Sequence, residues 1–182
     1  MRISEKETFS GFMTPEERKM NPADGISRYC RRLAGIYKSE ESIGELPINM
    51  NGFRLFDTLH RNSKPLCLAY KAAQLTAPDK ADDFLFALRR ATVLECRPTT
   101  HFEEILRIIR NTGIDENIFT HHYNDGNAEQ ALNSDLKFTL KMNIHSLPSY
   151  LIQSNGKAAL FQSFKYNDFK TAIQQITGNP LK

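Results

Sequence analysis

Apolar residues recur at intervals of three and four positions between residues 14 and 142, which is the spacing of one face of an α-helix. The stripe is clearest over residues 127–142, where Leu132, Leu136 and Leu140 follow one another at four-residue spacing. The pattern predicts a series of helices that begin near Thr14, Asp24, Ser63, Pro78, Thr100, Asp115 and Asn127. Most of the chain is therefore predicted to be helical.

Several of these helix starts carry capping signals. Thr14 precedes a proline and two acidic residues, an order that is typical of a first helical turn. Residues 100–103, Thr-His-Phe-Glu, match the capping box, in which the threonine and glutamate side chains each accept a backbone N–H. Asp115 is placed to cap the next helix, and Gly113 to end the helix before it.

The chain leaves the helical pattern in two places. Residues 39–62 are rich in loop-forming residues, and only a short helix over residues 52–59 is predicted there. After residue 143 the period changes from that of a helix to that of a strand. The pattern there predicts a strand over 149–153, a Ser-Asn-Gly turn at 154–156, a returning strand over 157–161 and a helix over 168–176.

The length of 182 residues fits a single domain with a sizeable core. The net charge of +3 is not gathered into a long basic run, which argues against nucleic-acid binding. Its densest cluster, Arg28, Arg31 and Arg32, is interpreted as the solvent face of a helix. No stretch approaches the roughly 18 apolar residues of a membrane span, and residues 1–7 lack a signal-peptide core. We therefore expect a cytoplasmic protein without membrane contact.

The three cysteines, Cys30, Cys67 and Cys96, stand far apart in the sequence. An odd and widely spaced set does not suggest a disulfide framework. No two of them have the spacing of a CxxC dithiol or of a zinc knuckle. We expect reduced thiols that pack as small apolar side chains.

Other chemistry-bearing residues are interpreted as structural. Adjacent histidines such as His121 and His122 point about 100° apart on a helix, so they are poor joint metal ligands. The acidic pairs at 82–83 and 103–104 lie in predicted first turns, where acids are favoured without any catalytic role. No phosphate-binding loop or nucleophile elbow is present. The sequence therefore predicts no catalytic residue, no metal site and no cofactor.

One succession of segments carries a family resemblance. Residues 144–152, Ile-His-Ser-Leu-Pro-Ser-Tyr-Leu-Ile, place a proline at the entrance of the first strand, before the hairpin and final helix. Upstream come the helix start at 62–73, the segment 82–89 and the turn at 111–115. In this order and spacing, residues 60–177 resemble the DsbA-like branch of the thioredoxin superfamily, in its cytosolic group related to FrnE and SpxH.

The resemblance implies an α/β, thioredoxin-like fold that is mostly helical and forms one domain over residues 1–182. Residues 14–143 would be a large helical insertion, and residues 144–177 would supply the hairpin and helix of the thioredoxin-like core. In the family the proline loop faces the active dithiol and its proline is cis.

By this resemblance, Ser146, Leu147 and Pro148 are the expected contact residues for a protein substrate or partner, with a cis peptide before Pro148.

The sequence departs from the family in lacking the strand that ends in a CxxC, which would be expected to precede Met1. None of the three cysteines matches the catalytic position. We therefore expect a DsbA-family thiol–disulfide oxidoreductase-like protein that is catalytically incomplete as given. Two alternatives stay open: a non-catalytic adapter that binds a partner through its proline loop and helical lid, and a helical interaction domain with an incidental hairpin. A CxxC encoded upstream of Met1 would favour the oxidoreductase over the adapter.

The missing strand would be central in the sheet, beside the strand that begins near Ser149. Unpaired backbone groups along that strand are costly when buried and adhesive when exposed. Three forms of compensation are open: residues 2–12 fold into the gap, a partner adds a strand, or a second copy pairs there. We favour the second copy, and so a homodimer that is formed through the hairpin edge and the proline loop.

Overall fold

The computed structural model describes residues 13–44, 47–49, 51–145, 149–162 and 166–178. Its helices are α1 (Pro15–Lys19), α2 (Pro22–Gly44), α3 (Lys64–Thr76), α4 (Ala81–Val93), α5 (Phe102–Thr112), α6 (Glu116–Asn124), α7 (Asn127–Lys141) and α8 (Tyr166–Thr177). A 3₁₀ turn (Pro78–Lys80) leads into α4, and the strands β1 (Tyr150–Ser154) and β2 (Lys157–Phe161) stand between α7 and α8. In the described parts of the chain, no helix combines the length and the apolar character that a membrane span needs.

Local capping explains where several helices begin and end. Thr14 is the N-cap of α1 as expected, and with Glu17 it forms a capping box in which the Glu17 N–H donates to Thr14 Oγ1 at 3.2 Å. Asp115 accepts hydrogen bonds from the first-turn N–H groups of α6. Gly113 ends α5 at a φ of 67°, a left-handed conformation that a side chain would strain.

Two local predictions are wrong. Residues 52–59 form turns and bends rather than a short helix. The capping box at 100–103 does not form, because α5 begins one residue later than predicted, with His101 rather than Thr100 at its N-cap. The Thr100 hydroxyl donates a 2.6 Å hydrogen bond to the Leu55 carbonyl. Because Thr100 is buried, its hydroxyl needs a hydrogen-bond partner within the protein, and the distant Leu55 carbonyl provides it.

The main core lies between α3, α4, α5 and α6, and the first turn of α7 closes it. Its largest side chains, Phe84 and Phe119, meet at 6.1 Å between ring centroids in an edge-to-face arrangement. Alanines on α3 let these helices approach closely, and Ala69, Ala72 and Ala73 have no solvent exposure. The three-and-four spacing of the apolar residues is therefore the pattern of a packed helical cluster.

A smaller apolar cluster joins α2 to the irregular segment before α3. Ile26 and Cys30 of α2 pack there against Phe53 and Leu55. Phe53 and Leu55 lie outside any helix or strand. Tertiary contacts rather than secondary structure therefore fix the loop that contains them.

The short helix α1 is joined to α2 by a buried ion pair. Arg32 donates from Nε and Nη2 to the two carboxylate oxygens of Glu17, each at 3.1 Å. The hydrogen bonds from Arg32 lower the pKa of the almost fully buried Glu17 carboxyl. Gly25 lies at the same crossing, where an added Cβ would overlap the Glu17 carbonyl oxygen. Both features hold α1 against α2.

The predicted hairpin is confirmed, with β1 and β2 antiparallel and Ser154 opposite Lys157 across the turn. Tyr150 and Phe161 stack across the strands at 5.2 Å, and Phe169 of α8 packs on both rings at 5.7 Å. Within the described residues, β1 and β2 pair only with each other, so each strand has one edge without a strand partner. Residues 2–12, which were expected to be an edge strand or lead-in, lie outside the described residues.

The close crossing at Gly25 generates a stability prediction. Gly25→Ala should lower the free energy of unfolding by about 1–3 kcal/mol, because the new methyl group must displace the Glu17 backbone. Urea unfolding monitored by far-ultraviolet circular dichroism measures the change.

Gly35→Ala is the matched control, since Gly35 lies on the same helix and a Cβ there meets nothing within 4 Å. Gly35→Ala should raise the unfolding free energy by about 0.5–1 kcal/mol, because alanine has less backbone freedom to lose on folding. Equal effects of the two substitutions would contradict the close crossing.

Candidate functional site

The expected contact residues Ser146, Leu147 and Pro148 lie outside the described residues, as does the peptide before Pro148. The structure does describe their flanks. On one side α7 ends at Lys141, and the Ile144 N–H donates to the Thr139 carbonyl at 3.1 Å. On the other side Gln162 donates to Ser149 Oγ at 3.0 Å, which closes the base of the hairpin. In the chain, residues 146–148 therefore follow the end of α7 and precede the base of the hairpin.

An apolar stripe on α7 leads towards this loop. Leu136 and Leu140 lie one helical turn apart, and they are 46% and 68% exposed. The opposite end of the helix is packed, since Ala128 has no exposure. Exposed leucines on one helix face are typical of surfaces that contact other apolar groups.

The three cysteines occupy separate places and are free thiols. Cys30 is buried in α2, and its sulfur lies 3.6 Å from the Phe56 carbonyl oxygen. Cys67 lies in the first turns of α3, and Cys96 follows α4 at a φ of 52°, with its sulfur 2.7 Å from the Asn49 carbonyl oxygen. In the structure none of the three sulfur atoms is bonded to another.

Burial raises the pKa of all three thiols. For Cys30 the loss of hydration on burial is the largest cause of the raised pKa. Cys67 is exposed as a residue, yet the atoms packed around its sulfur raise its pKa as well. Desolvation also raises the pKa of Cys96. A nucleophilic cysteine needs the opposite shift, because the thiolate is the attacking form.

A second constellation is formed by Asp57, His60 and His101. His60 Nδ1 lies 3.1 Å and 3.2 Å from the two Asp57 carboxylate oxygens, and His101 Nε2 lies 2.6 Å from Oδ2. The two imidazole rings stack with their centroids 3.9 Å apart. One ligand atom from each of the three residues lies within 4.8 Å of the others.

Backbone hydrogen bonds hold the Asp57 carboxylate in place. The N–H groups of Leu59 and His60 donate to Oδ1 at 2.8 Å and 2.7 Å. Partial burial favours the neutral acid, but these bonds and those from the two histidines outweigh it and lower the pKa of Asp57 to about 2. The carboxylate is therefore ionised at neutral pH.

Sequence reasoning did not identify this constellation. The adjacent histidines His121 and His122 were the residues considered as metal ligands. Their rings lie 5.8 Å apart, and His121 pairs with Asp125 at 3.2 Å. Asp57 and His60 stand three residues apart, which is a signal that the sequence contains. His101, however, lies 44 residues from Asp57. Only the fold brings it to the same carboxylate.

In each of the acidic pairs 82–83 and 103–104, one carboxylate has a structural partner. Asp82 accepts a 2.8 Å hydrogen bond from the Tyr70 hydroxyl. Glu104 is buried and pairs with Arg97 and Arg107, which is how a buried carboxylate remains compensated.

Comparison with known proteins identifies the family. The sequence profile of the thioredoxin family matches residues 17–174. The chain belongs to the thioredoxin family.

Two solved structures show the same fold. A candidate protein disulfide isomerase from Nitrosomonas europaea is similar with a TM-score of 0.64 and 18% identity, over 90% of this chain and 76% of its own. The cytosolic disulfide reductase DsbM from Pseudomonas aeruginosa is similar with a TM-score of 0.60 and 13% identity, over 76% of this chain and 71% of its own. No curated protein is significantly similar in sequence.

The thioredoxin-family assignment confirms the predicted DsbA-like relationship and the α/β, mostly helical, thioredoxin-like fold. Within this thioredoxin-family chain, desolvation raises the pKa of each of the three thiols described above.

The raised pKa values generate a prediction about thiol reactivity. At neutral pH, iodoacetamide should alkylate each of Cys30, Cys67 and Cys96 more slowly in the folded protein than in the unfolded chain, with Cys30 slowest because it is the most buried. The rates should still rise above about pH 8.5, the ordinary thiol pKa. Peptide mass spectrometry after timed quenching measures each site.

The guanidinium-unfolded chain is the control, since its three thiols have similar surroundings. A thiol that reacts faster in the folded state, or whose rate is already constant below neutral pH, would contradict the raised pKa values.

Proposed function

We propose that this chain is a DsbA-type thiol–disulfide oxidoreductase-like protein that binds a protein substrate but does not turn over disulfides with its own cysteines. The upward pKa shift of every thiol carries the proposal. Disulfide exchange begins with attack by a thiolate, so a thiol held in its protonated form near neutral pH is a poor starting group.

The placement of the thiols supports the same conclusion. A mixed disulfide is released efficiently when a second thiol stands close to the first. Here Cys30 lies in α2, Cys67 in α3 and Cys96 in the turn after α4, and none is joined to another. None of the three therefore has an evident resolving partner within this chain.

The proposed substrate contact is the loop of Ser146, Leu147 and Pro148, with a cis peptide before the proline. Its support is the family relationship, together with the position of the loop between the exposed end of α7 and the hairpin base. We propose that the exposed Leu136 and Leu140 extend this contact with apolar surface.

The cytoplasm is the proposed location. The fold neighbour DsbM is described as a cytosolic disulfide reductase, and the reduced state of the three thiols suits the same compartment. The proposed partners are proteins rather than nucleic acids or membranes.

The first test is enzymatic. The purified chain should reduce insulin, or oxidise a model dithiol peptide, no faster than the uncatalysed reaction. The variant with Cys30→Ser, Cys67→Ser and Cys96→Ser should give the same progress curve, because the proposal assigns no turnover to these thiols. Thioredoxin serves as the positive control.

Turnover well above background in the chain, lost on one of the three serine substitutions, would overturn the proposal. It would also identify the nucleophile. Circular dichroism of each variant establishes that a loss of activity is not a loss of fold.

The second candidate function is a non-catalytic adapter that binds a partner through the proline loop and the helical lid. The two-stranded sheet favours it, since within the described residues each strand has an edge without a strand partner. An added strand would satisfy these backbone groups, and exposed Tyr150 and Leu160 provide apolar side chains beside them.

A second copy of the chain is our favoured occupant of this edge, because it requires no other gene product. Light scattering at micromolar concentration should then give the mass of a dimer. Amide exchange at residues 149–153 should slow as the protein concentration rises, since strand pairing protects N–H groups.

A strict monomer would exclude the dimer. Slow, concentration-independent exchange in that monomer would indicate that residues 2–12 fill the edge. Fast exchange in that monomer would instead indicate an incomplete domain that awaits its missing strand or a partner.

A further inference from the structure

We propose that Asp57, His60 and His101 form a binding site for one divalent transition-metal ion of the zinc type, with at least one coordination position open. This site is independent of disulfide exchange and uses none of the cysteines. The proposal rests on the convergence of two imidazole nitrogens on one carboxylate, together with the buried contacts that hold the three residues in place.

The spacing of the ligand atoms suits a metal ion. Zinc binds histidine nitrogen and carboxylate oxygen at about 2.0–2.2 Å, so ligand atoms around a tetrahedral ion stand about 3.4 Å apart. The nitrogens of His60 and His101 lie 3.2 Å and 2.6 Å from Asp57 Oδ2. Small side-chain rotations would widen these separations by several tenths of an ångström and admit an ion between the three atoms.

The two carboxylate oxygens of Asp57, Oδ1 and Oδ2, have different roles in the proposed site. Oδ1 accepts the backbone N–H groups of Leu59 and His60, which fixes the plane of the carboxylate. Oδ2 faces both imidazoles and is the proposed metal ligand.

Buried contacts hold the two halves of the site together. The Thr100 hydroxyl donates to the Leu55 carbonyl at 2.6 Å, which ties the segment before Asp57 to the residue before His101. Thr99 shares a 2.7 Å hydroxyl contact with Thr92 of α4. A metal site requires such rigid support, because affinity depends on ligands that are already oriented.

The donor set indicates the class of ion. Two imidazoles and one carboxylate suit zinc and related first-row ions rather than calcium or magnesium, which prefer oxygen ligands. The side chains of His60, His101 and Asp57 are 30%, 39% and 41% exposed, so an ion and water can reach them. Three protein ligands leave a fourth tetrahedral position for water or another ligand, as in zinc sites that are not purely structural.

The experiment uses the full chain without a histidine tag, in the background with all three cysteines replaced by serine. Isothermal titration with zinc chloride should show one site per chain. Co²⁺ should give the visible absorption of a tetrahedral nitrogen- and oxygen-ligated ion, which is a readout of geometry. Asp57→Asn, His60→Gln and His101→Gln should each weaken zinc binding at least about 10-fold.

Asp57→Asn is the most informative of these variants. The asparagine amide oxygen can still accept the Leu59 and His60 N–H groups, so the turn is retained while the anionic ligand is removed. Metal-free Asp57→Asn should show a native circular dichroism spectrum. Zinc should raise the Tm of the parent chain but not of this variant, since an ion that binds only the folded state stabilises it.

The matched control is the double variant His121→Gln and His122→Gln, which removes the same number of imidazoles from a surface helix. Its zinc affinity should stay within about twofold of the parent, because independent distant sites do not couple. Equal losses in the control and in the site variants would overturn the proposal as unspecific binding to surface histidines.

Two further outcomes would also overturn it. One is the absence of saturable binding at millimolar zinc in the cysteine-free chain. The other is one-site binding that survives Asp57→Asn and both glutamine substitutions. Either outcome would leave the three residues as a hydrogen-bonded brace of the loop, and neither would alter the expectation for disulfide turnover.

Discussion

A single buried hydrogen bond, from the Thr100 hydroxyl to the Leu55 carbonyl, joins two parts of the protein that no secondary structure connects. The segment before α3 has no helix or ladder to satisfy its backbone, so its position depends on contacts of this kind. The bond seats the segment against the start of α5, where Phe53 and Leu55 complete the apolar cluster on α2. It also brings Asp57 to His101. The smaller core and the polar constellation therefore both include residues of the segment that this bond anchors.

The thioredoxin family is known for activated thiols, and the described part of this chain has the opposite electrostatics at its cysteines. Desolvation raises the pKa of each thiol, and no neighbouring group outweighs it at Cys30, Cys67 or Cys96. The strongest perturbation towards a charged form instead occurs at Asp57, where backbone N–H groups and two histidines stabilise the carboxylate. The polar site at Asp57, His60 and His101 thus offers imidazole nitrogens and carboxylate oxygens rather than thiols.

The helices were predictable because their signals lie within a few residues of one another. Thr14 and Asp115 cap α1 and α6 as expected, and Gly113 ends α5. The hairpin was equally local, since a Ser-Asn-Gly turn joins two short alternating segments. Prediction failed where a residue had a distant alternative partner. Thr100 matches a capping box, yet α5 begins at a His101 N-cap and the Thr100 hydroxyl donates to the distant Leu55 carbonyl.

The sequence by itself determined most of the helices within residues 14–142, the hairpin, the absence of a CxxC motif and, through the order of its segments, the family. These properties follow from spacings of two to four residues and from composition. Tertiary structure alone decided that Asp57 and His101, 44 residues apart, share a hydrogen bond, and that every cysteine is desolvated. Burial and the meeting of distant side chains depend on how helices pack, and no local pattern encodes them.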